Sequence, residues 1–201
     1  MLRVSKSSSE NHREVLTENL MAIQRTHLDK GYIQIYTGNG KGKTTAAIGQ
    51  AIRAAGNGYR SLIIQFMKEY PYGELTALKQ FKEFIEIEQY CGDDFVYKNE
   101  LPSKEEKNKA VKAIKKAEEE FKKDYYDIII LDEIVVSIYF KLIEVEAVIE
   151  LIKKKPTNKE LILTGRYSPK ELIDLADLVT EMKEVKHYYQ KGITSRKGFE
   201  S

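Results

Sequence analysis

Thr37-Gly38-Asn39-Gly40-Lys41-Gly42-Lys43-Thr44-Thr45 is the stretch on which the fold turns. The apolar run before it, Tyr32 to Tyr36, reads as a buried strand. Thr44 to Ala55 follows with helical spacing and closes at the turn Gly56-Asn57-Gly58. In a strand–glycine loop–helix unit, backbone amides turn inward around phosphate oxygens and the helix N-terminus adds partial positive charge. On that reading Gly38, Asn39, Gly40, Lys41, Gly42, Lys43, Thr44 and Thr45 bind ATP. Lys43 brings a full charge to the polyphosphate and Thr44 offers a hydroxyl to Mg2+. The usual P-loop has four residues between its first glycine and its Gly-Lys pair. Here Thr37 takes the first glycine's place and Gly38 lies one step inside, so an unusual winding is expected. The dinucleotide fingerprint fits worse, because Lys43 stands where its third glycine belongs.

Two further apolar runs end in polar groups. Ile128 to Leu131 runs into Asp132 and Glu133. In P-loop proteins a carboxylate at such a strand end helps hold magnesium, which takes few protein ligands and keeps several waters. Thr44, Asp132 and Glu133 are therefore the expected metal set; the alternative is that the two acids only cap the next helix. Leu163-Thr164-Gly165-Arg166 also ends a strand. Strand C-termini of an open parallel sheet face the ligand crevice, so Arg166 is expected to neutralise phosphate charge beside Lys43. A surface arginine without contacts is the alternative.

Between these motifs apolar runs alternate with helical patterns. Strands are expected at Ser61 to Phe66, Phe84 to Tyr90, Glu160 to Leu163 and Leu178 to Met182. Helices are expected at Glu74 to Phe81, from Ser103 to about Lys123, and over Val135 to Lys155. Ser103 and Glu106 make a capping box. Ser168, Pro169 and Glu171 read as a second capped start, with proline in the first helical position. Cys91 to Leu101 reads as a loop, and the tail from Lys186 has no assigned structure. The expectation is an α/β fold of the P-loop, RecA-like type: a mainly parallel sheet with helices on both faces, over residues 31–201. Residues 1–30 read as an N-terminal arm, in which Leu16, Leu20, Met21 and Ile23 form a weak helical stripe. That arm either covers a site or partner subunit or is simply solvated.

Composition removes several classes of function. The 201 residues carry 33 basic and 31 acidic side chains, a net charge of +2, so no general pull toward nucleic acid or a membrane surface is expected. A single cysteine, Cys91, excludes an internal disulfide and a thiolate zinc site. Met1 to Ser9 lacks the apolar core of a signal peptide. The most apolar stretch, Ile128 to Phe140, is short and broken by Asp132 and Glu133, too little to span a bilayer. A cytoplasmic protein is expected.

The wider pattern resembles the ATP:corrinoid adenosyltransferases of cobalamin synthesis and salvage. The residues that carry the resemblance are Thr37 to Ala47, Gln65-Phe66-Met67-Lys68 with Gly73-Glu74, and Leu131-Asp132-Glu133. Thr164-Gly165-Arg166, Ala176 to Met182 and Lys186-His187 follow in family order. The odd phosphate loop is that family's own version. The resemblance implies that a cob(I) corrinoid attacks the 5′ carbon of ATP, that inorganic triphosphate leaves, and that ATP lies reversed in the loop relative to P-loop hydrolases. Cobalt being the nucleophile, Glu133 is not expected to accept a proton. The resemblance also implies a homodimer, closure of the site by an N-terminal helix (here near Asn11 to Arg25), and an electron-donating flavoprotein reductase.

For the corrinoid, the resemblance points to Phe66, Lys68, Tyr70, Glu74, Phe95 and Tyr97; for Phe66, Tyr70, Phe95 and Tyr97 the alternative is core packing or loop anchoring. The family carries tryptophan near the positions of Tyr70 and Tyr97, whereas this chain has none. Tyrosine keeps the flat apolar face but adds a hydroxyl that needs a partner. His187 either ligates cobalt or contacts ATP, or is a surface residue, and Lys186 is open in the same way. The rival readings are a P-loop kinase or ATPase with another acceptor, a nucleic-acid-binding module, and a corrinoid sensor without turnover.

Overall fold

Apolar runs without polar alternation need cover on both faces, and the chain supplies it. A computed structural model describes residues 23–98 and 100–199. Six strands pair throughout in parallel: β1 (Ile33–Thr37), β2 (Ser61–Gln65), β3 (Ile85–Gln89), β4 (Ile128–Asp132), β5 (Glu160–Thr164) and β6 (Leu178–Glu181), in the spatial order β3-β2-β4-β5-β1-β6. The helices are α1 (Lys43–Ala55), α2 (Gly73–Ala77), α3 (Asp94–Tyr97), α4 (Lys104–Phe121), α5 (Ile134–Tyr139), α6 (Val145–Lys153) and α7 (Lys170–Leu175), with 3-10 turns at Leu78–Phe81 and Tyr188–Lys191. This is the expected P-loop α/β architecture.

Side-chain alternation divides the core in two. Leu62, Ile64, Ile129, Leu131, Leu161 and Leu163 face α4 and α6, meeting Ala110, Ala113 and Ala117 of one and Val148, Leu151 and Ile152 of the other. Ile63, Ile128, Ile130 and Ile162 face the opposite way, onto Ala47, Ala51, Ala54 and Ala55 of α1. The alanine ridge lets the phosphate-loop helix lie close to the sheet. A one-residue slip of any inner strand would exchange the two sets. Because β5 lies between β1 and β4, the loop after β1 and the acids after β4 end up one strand apart at the same sheet edge.

Most elements fall where the sequence puts them, and the exceptions have local causes. The Ser103 hydroxyl caps α4 by accepting from the Glu106 N–H (3.2 Å), but the Glu106 carboxylate turns to Lys109 Nζ (3.2 Å) and leaves the box half made. Pro169 is the residue before α7 instead of its first helical residue. Ser168 does not cap it: its hydroxyl is buried without a hydrogen bond, and its N–H donates to Thr37 Oγ1 (3.3 Å). The expected loop Cys91 to Leu101 contains α3, fixed by burial of Phe95. In the tail, His187 Nδ1 accepts from the Tyr189 N–H (3.1 Å) and starts a 3-10 turn.

The helix expected in the arm lies outside the described residues, apart from its end at Ile23 to Arg25, which is not helical. There Ile23 and Leu28 pack on the α1 face and Arg25 pairs with Asp127. Among the described residues no helix is long and apolar enough to cross a membrane.

Candidate active site

The phosphate loop is shaped partly by its neighbour β6. Gly38 has φ +92, and a Cβ there would lie 2.5 Å from the Met182 carbonyl oxygen; one on Gly40 would lie 2.6 Å from the same atom. The Gly40 N–H donates to that carbonyl (2.6 Å), and the Met182 N–H donates to Thr37 (2.8 Å). Glycine is thus required at both places by close approach of a strand end. The Gly40 amide is used inside the protein, contrary to the expectation that it turns to phosphate.

Lys43 is buried, and its ammonium donates to the carbonyls of Gly38 and Gly40 (both 2.8 Å). Burial pulls its pKa down, Arg166 adds to the drop, and Glu133 and Asp132 oppose it. Thr44, in the first turn of α1, donates its hydroxyl to Asp132 Oδ1 (2.8 Å). Asp132 is 1% exposed. Its Oδ1 also accepts from Thr164 Oγ1 (2.7 Å), and its Oδ2 from Lys68 Nζ (2.7 Å) and Gln65 Nε2 (3.1 Å). The loop after β1 and the acid at the end of β4 therefore meet directly.

Glu133 is half-buried at φ 64, ψ 16, in the left-handed region, where a non-glycine residue is uncommon. Its N–H donates to Thr164 Oγ1 (2.9 Å) and its carbonyl accepts from Ser137 Oγ (2.8 Å). Burial pushes its carboxyl pKa up, and Asp132 adds to this against Lys68, Lys43 and Arg166. Met67 and Tyr167 also have positive φ, 54 and 64. Backbone outliers thus follow β2, β4 and β5 at one edge of the sheet, the kind of clustering found at binding sites. Arg166 lies exposed after β5, close enough to act on both Lys43 and Glu133.

The expected corrinoid residues separate. Phe66 is fully buried in the core facing α4, so it presents no face to a ligand. Phe95 is a core residue as well, edge-on to Phe140 with centroids 6.2 Å apart. Lys68 points to Asp132 and Thr44 Oγ1 (3.1 Å), two of the residues expected to hold a metal. Glu74 accepts from Gln65 Nε2 (3.2 Å) and belongs to the same network. Tyr70 and Tyr97 are exposed, the former donating its hydroxyl to Asp94 Oδ1 (3.2 Å). His187 and Lys186 line a groove of about 370 Å³ with Lys41, Lys183 and Tyr188, beside the phosphate loop.

Sequence reasoning missed two groups of residues. Gln65 and Thr164 hold Asp132, and Gln65 does so because the strand register sets it opposite Asp132. Tyr139 and Tyr167, each about half exposed, stack with centroids 4.4 Å apart. Tyr139 also meets Phe140 at 5.2 Å, so an aromatic run extends from Phe95 to the residue beside Arg166. Tyrosines at helix ends and in turns are common, and nothing in their spacing marked these two.

A parallel sheet whose first strand feeds a glycine loop with an interior lysine, and whose neighbouring acid meets the following threonine, defines a P-loop nucleotide-binding protein. Within that class the profile of the family "ATP:corrinoid adenosyltransferase BtuR/CobO/CobP" matches residues 29–201, and the chain belongs to that family. The corrinoid adenosyltransferase CobA of Salmonella typhimurium is 33% identical over 180 residues, covering 89% of each chain. A corrinoid adenosyltransferase of Sinorhizobium sp is 32% identical over 192 residues, 94% of this chain and 87% of its own. That of Escherichia coli is 31% identical over 174 residues, 86% of each.

Proposed function

We propose that the chain transfers the 5′-deoxyadenosyl group of ATP to the cobalt of a cob(I) corrinoid. The observation that carries this is the meeting of Lys43, Thr44 and Asp132 at one crevice in a chain of the ATP:corrinoid adenosyltransferase family. Cobalt, as part of the substrate, supplies the electron pair. The Co–C bond forms while the C5′–O bond breaks, and that bond's electrons leave on inorganic triphosphate. No proton is removed from carbon, so no residue acts as general base, and Glu133 is not needed as one.

The protein's share is to hold and stabilise the leaving group. Lys43 is fixed at the loop by two carbonyls, and Arg166 adds a second positive charge from the end of β5. ATP lies with its sugar carbon toward the acceptor, so the loop grips the triphosphate that departs. The Thr44 hydroxyl and the Asp132 carboxylate are oxygen donors that suit Mg2+, with Glu133 near enough to join through water. Bound there, the ion would neutralise charge on the triphosphate. For the macrocycle, the half-exposed rings of Tyr139 and Tyr167, backed edge-on by Phe140 and then by the core residue Phe95, support an aromatic surface, and Tyr70 and Tyr97 stand exposed as well.

Cob(II) must gain one electron before it can attack, so an electron-donating flavoprotein reductase is the partner this chemistry needs. A cytoplasmic homodimer is part of the same reading. The edge strand β6, with Leu178 and Val179 exposed, supports an assembly, because bare apolar edges are normally covered.

Incubation with ATP, Mg2+ and chemically reduced cobalamin tests the reaction. The expected products are triphosphate and a light-sensitive alkylcobalamin in equal amounts. ADP or inorganic phosphate without alkylcobalamin would transfer the site to a kinase or ATPase.

A further inference from the structure

The position of Lys68 follows from the backbone just before it. Met67 takes a left-handed turn (φ 54) after β2, and the next side chain enters the crevice instead of continuing along the sheet. Its ammonium lies 2.7 Å from Asp132 Oδ2 and 3.1 Å from Thr44 Oγ1. These are the two groups whose oxygens suit a divalent cation, and their own hydrogen bond (2.8 Å) already sets them side by side. An ammonium and a divalent cation cannot share the same lone pairs, and at such separations their repulsion is strong in a partly buried site. Lys68 also has another place to go: its Nζ is 5.3 Å from the centroid of the Tyr72 ring, within cation–π range, and Glu74 lies beyond Gln65 in the same network.

We propose that Lys68 is a tethered cation which occupies the place between Thr44 and Asp132 and must be displaced when a divalent ion takes that place. Lys68 is then a positioning residue that sets the metal affinity of the site. It keeps stray divalent ions off the bare protein and yields to one delivered on a polyphosphate, whose negative charge offsets the displacement. The inference rests on the reading that Thr44 and Asp132 hold the metal, and its test separates the two.

The experiment is Mn2+ titration of the full-length, nucleotide-free protein, following the paramagnetic resonance signal of free Mn2+. In Lys68→Met the carboxylate keeps its three other donors, Thr44, Thr164 and Gln65, so the fold is expected to survive. Removing one competing unit charge should tighten Mn2+ binding roughly tenfold. Lys68→Arg keeps the charge and should bind Mn2+ as weakly as the parent. Asp132→Asn should bind none. A merely structural lysine would give the opposite sign, because disorder at Asp132 weakens a metal site. If Asp132→Asn abolishes binding while Lys68→Met leaves it equal or weaker, the Lys68 inference fails alone. Mn2+ binding that survives in Asp132→Asn removes the metal site itself.

Discussion

Asp127 and Asp132 stand at opposite ends of β4, both almost fully buried, and they are held in contrasting ways. Asp127 Oδ2 accepts the backbone N–H of Arg60 (2.8 Å) and the guanidinium of Arg25. Beside it, Lys159 Nζ donates to the carbonyls of Lys123 (2.7 Å) and Tyr126. That end of the sheet is fastened largely through main chain, since Arg25 is itself held by the carbonyls of Tyr125 (2.9 Å) and Gly58 (3.2 Å). Among the described residues, the donors to Asp132 are all side chains: Thr44, Thr164, Gln65 and Lys68. A carboxylate tied to backbone cannot exchange its partners without local unfolding. One tied to rotatable groups can give up a donor for a ligand at the cost of a rotamer change. The same residue type on one strand thus serves as a rivet at one end and is held by exchangeable side-chain partners at the other.

The largest expected effect is at the rivet. Asp127→Ala leaves the Arg60 N–H without its acceptor and takes the carboxylate from Arg25, which keeps the Tyr125 and Gly58 carbonyls, a loss of about 3 kcal/mol. For a chain of this size that lowers the thermal midpoint by roughly 10 °C, while turnover well below the transition stays within about twofold of the parent. Thermal unfolding by circular dichroism and a low-temperature assay read the two quantities. A variant as stable as the parent would end the contrast.

Asp132→Asn should show the reverse. Turnover falls about 100-fold, ~2.7 kcal/mol of lost transition-state stabilisation, with a midpoint only about 3 °C lower. Asparagine still accepts from both threonines, and Lys68 is close to Glu74 and Glu133. If this variant unfolds as readily as Asp127→Ala, both aspartates are rivets.

How much of this was legible in sequence follows the same division. The glycine loop, the capped start at Ser103 and the apolar strand ending in Asp132 are local patterns, and they predicted elements and end groups correctly. The clamp of Met182 on Gly38 and Gly40 depends on β6 lying next to β1, a pairing between distant segments that no local pattern encodes. Gln65 meets Asp132 through register, and Lys68 reaches it through a backbone turn at Met67. Family resemblance named the segment Gln65 to Lys68, yet it assigned Phe66 and Lys68 to the corrinoid, whereas alternation sends Phe66 into the core and the turn sends Lys68 to the acid.

The aromatic run sharpens the contrast on the acceptor side. Tyr167→Ala removes one member of the stacked pair with Tyr139 and should raise KM for the corrinoid about three- to tenfold, ~1 kcal/mol, with KM for ATP unchanged. Tyr139→Ala should do the same, and the double variant should be little worse than either, because each ring supports the other. Steady-state kinetics with each substrate varied in turn checks this. An equal rise in both KM values would assign the pair to general support of the crevice.

Glu133 gives the smallest and most diagnostic effect, because its neighbour on β4 makes its charge costly. Burial first, and Asp132 second, raise its folded-state pKa above the unfolded value of about 4.3. The folded state therefore binds this proton more tightly, and the stability linked to it is full below the unfolded value and lost as pH rises through the raised one. Glu133→Gln removes that loss, and the left-handed backbone strain is common to both residues and cancels. Thermal midpoints of variant and parent should coincide near pH 4 and separate in favour of glutamine as pH rises. A constant offset across the range would mean that the charge of Glu133 costs nothing, that its surroundings already solvate it, and that the network around Asp132 is a rivet after all.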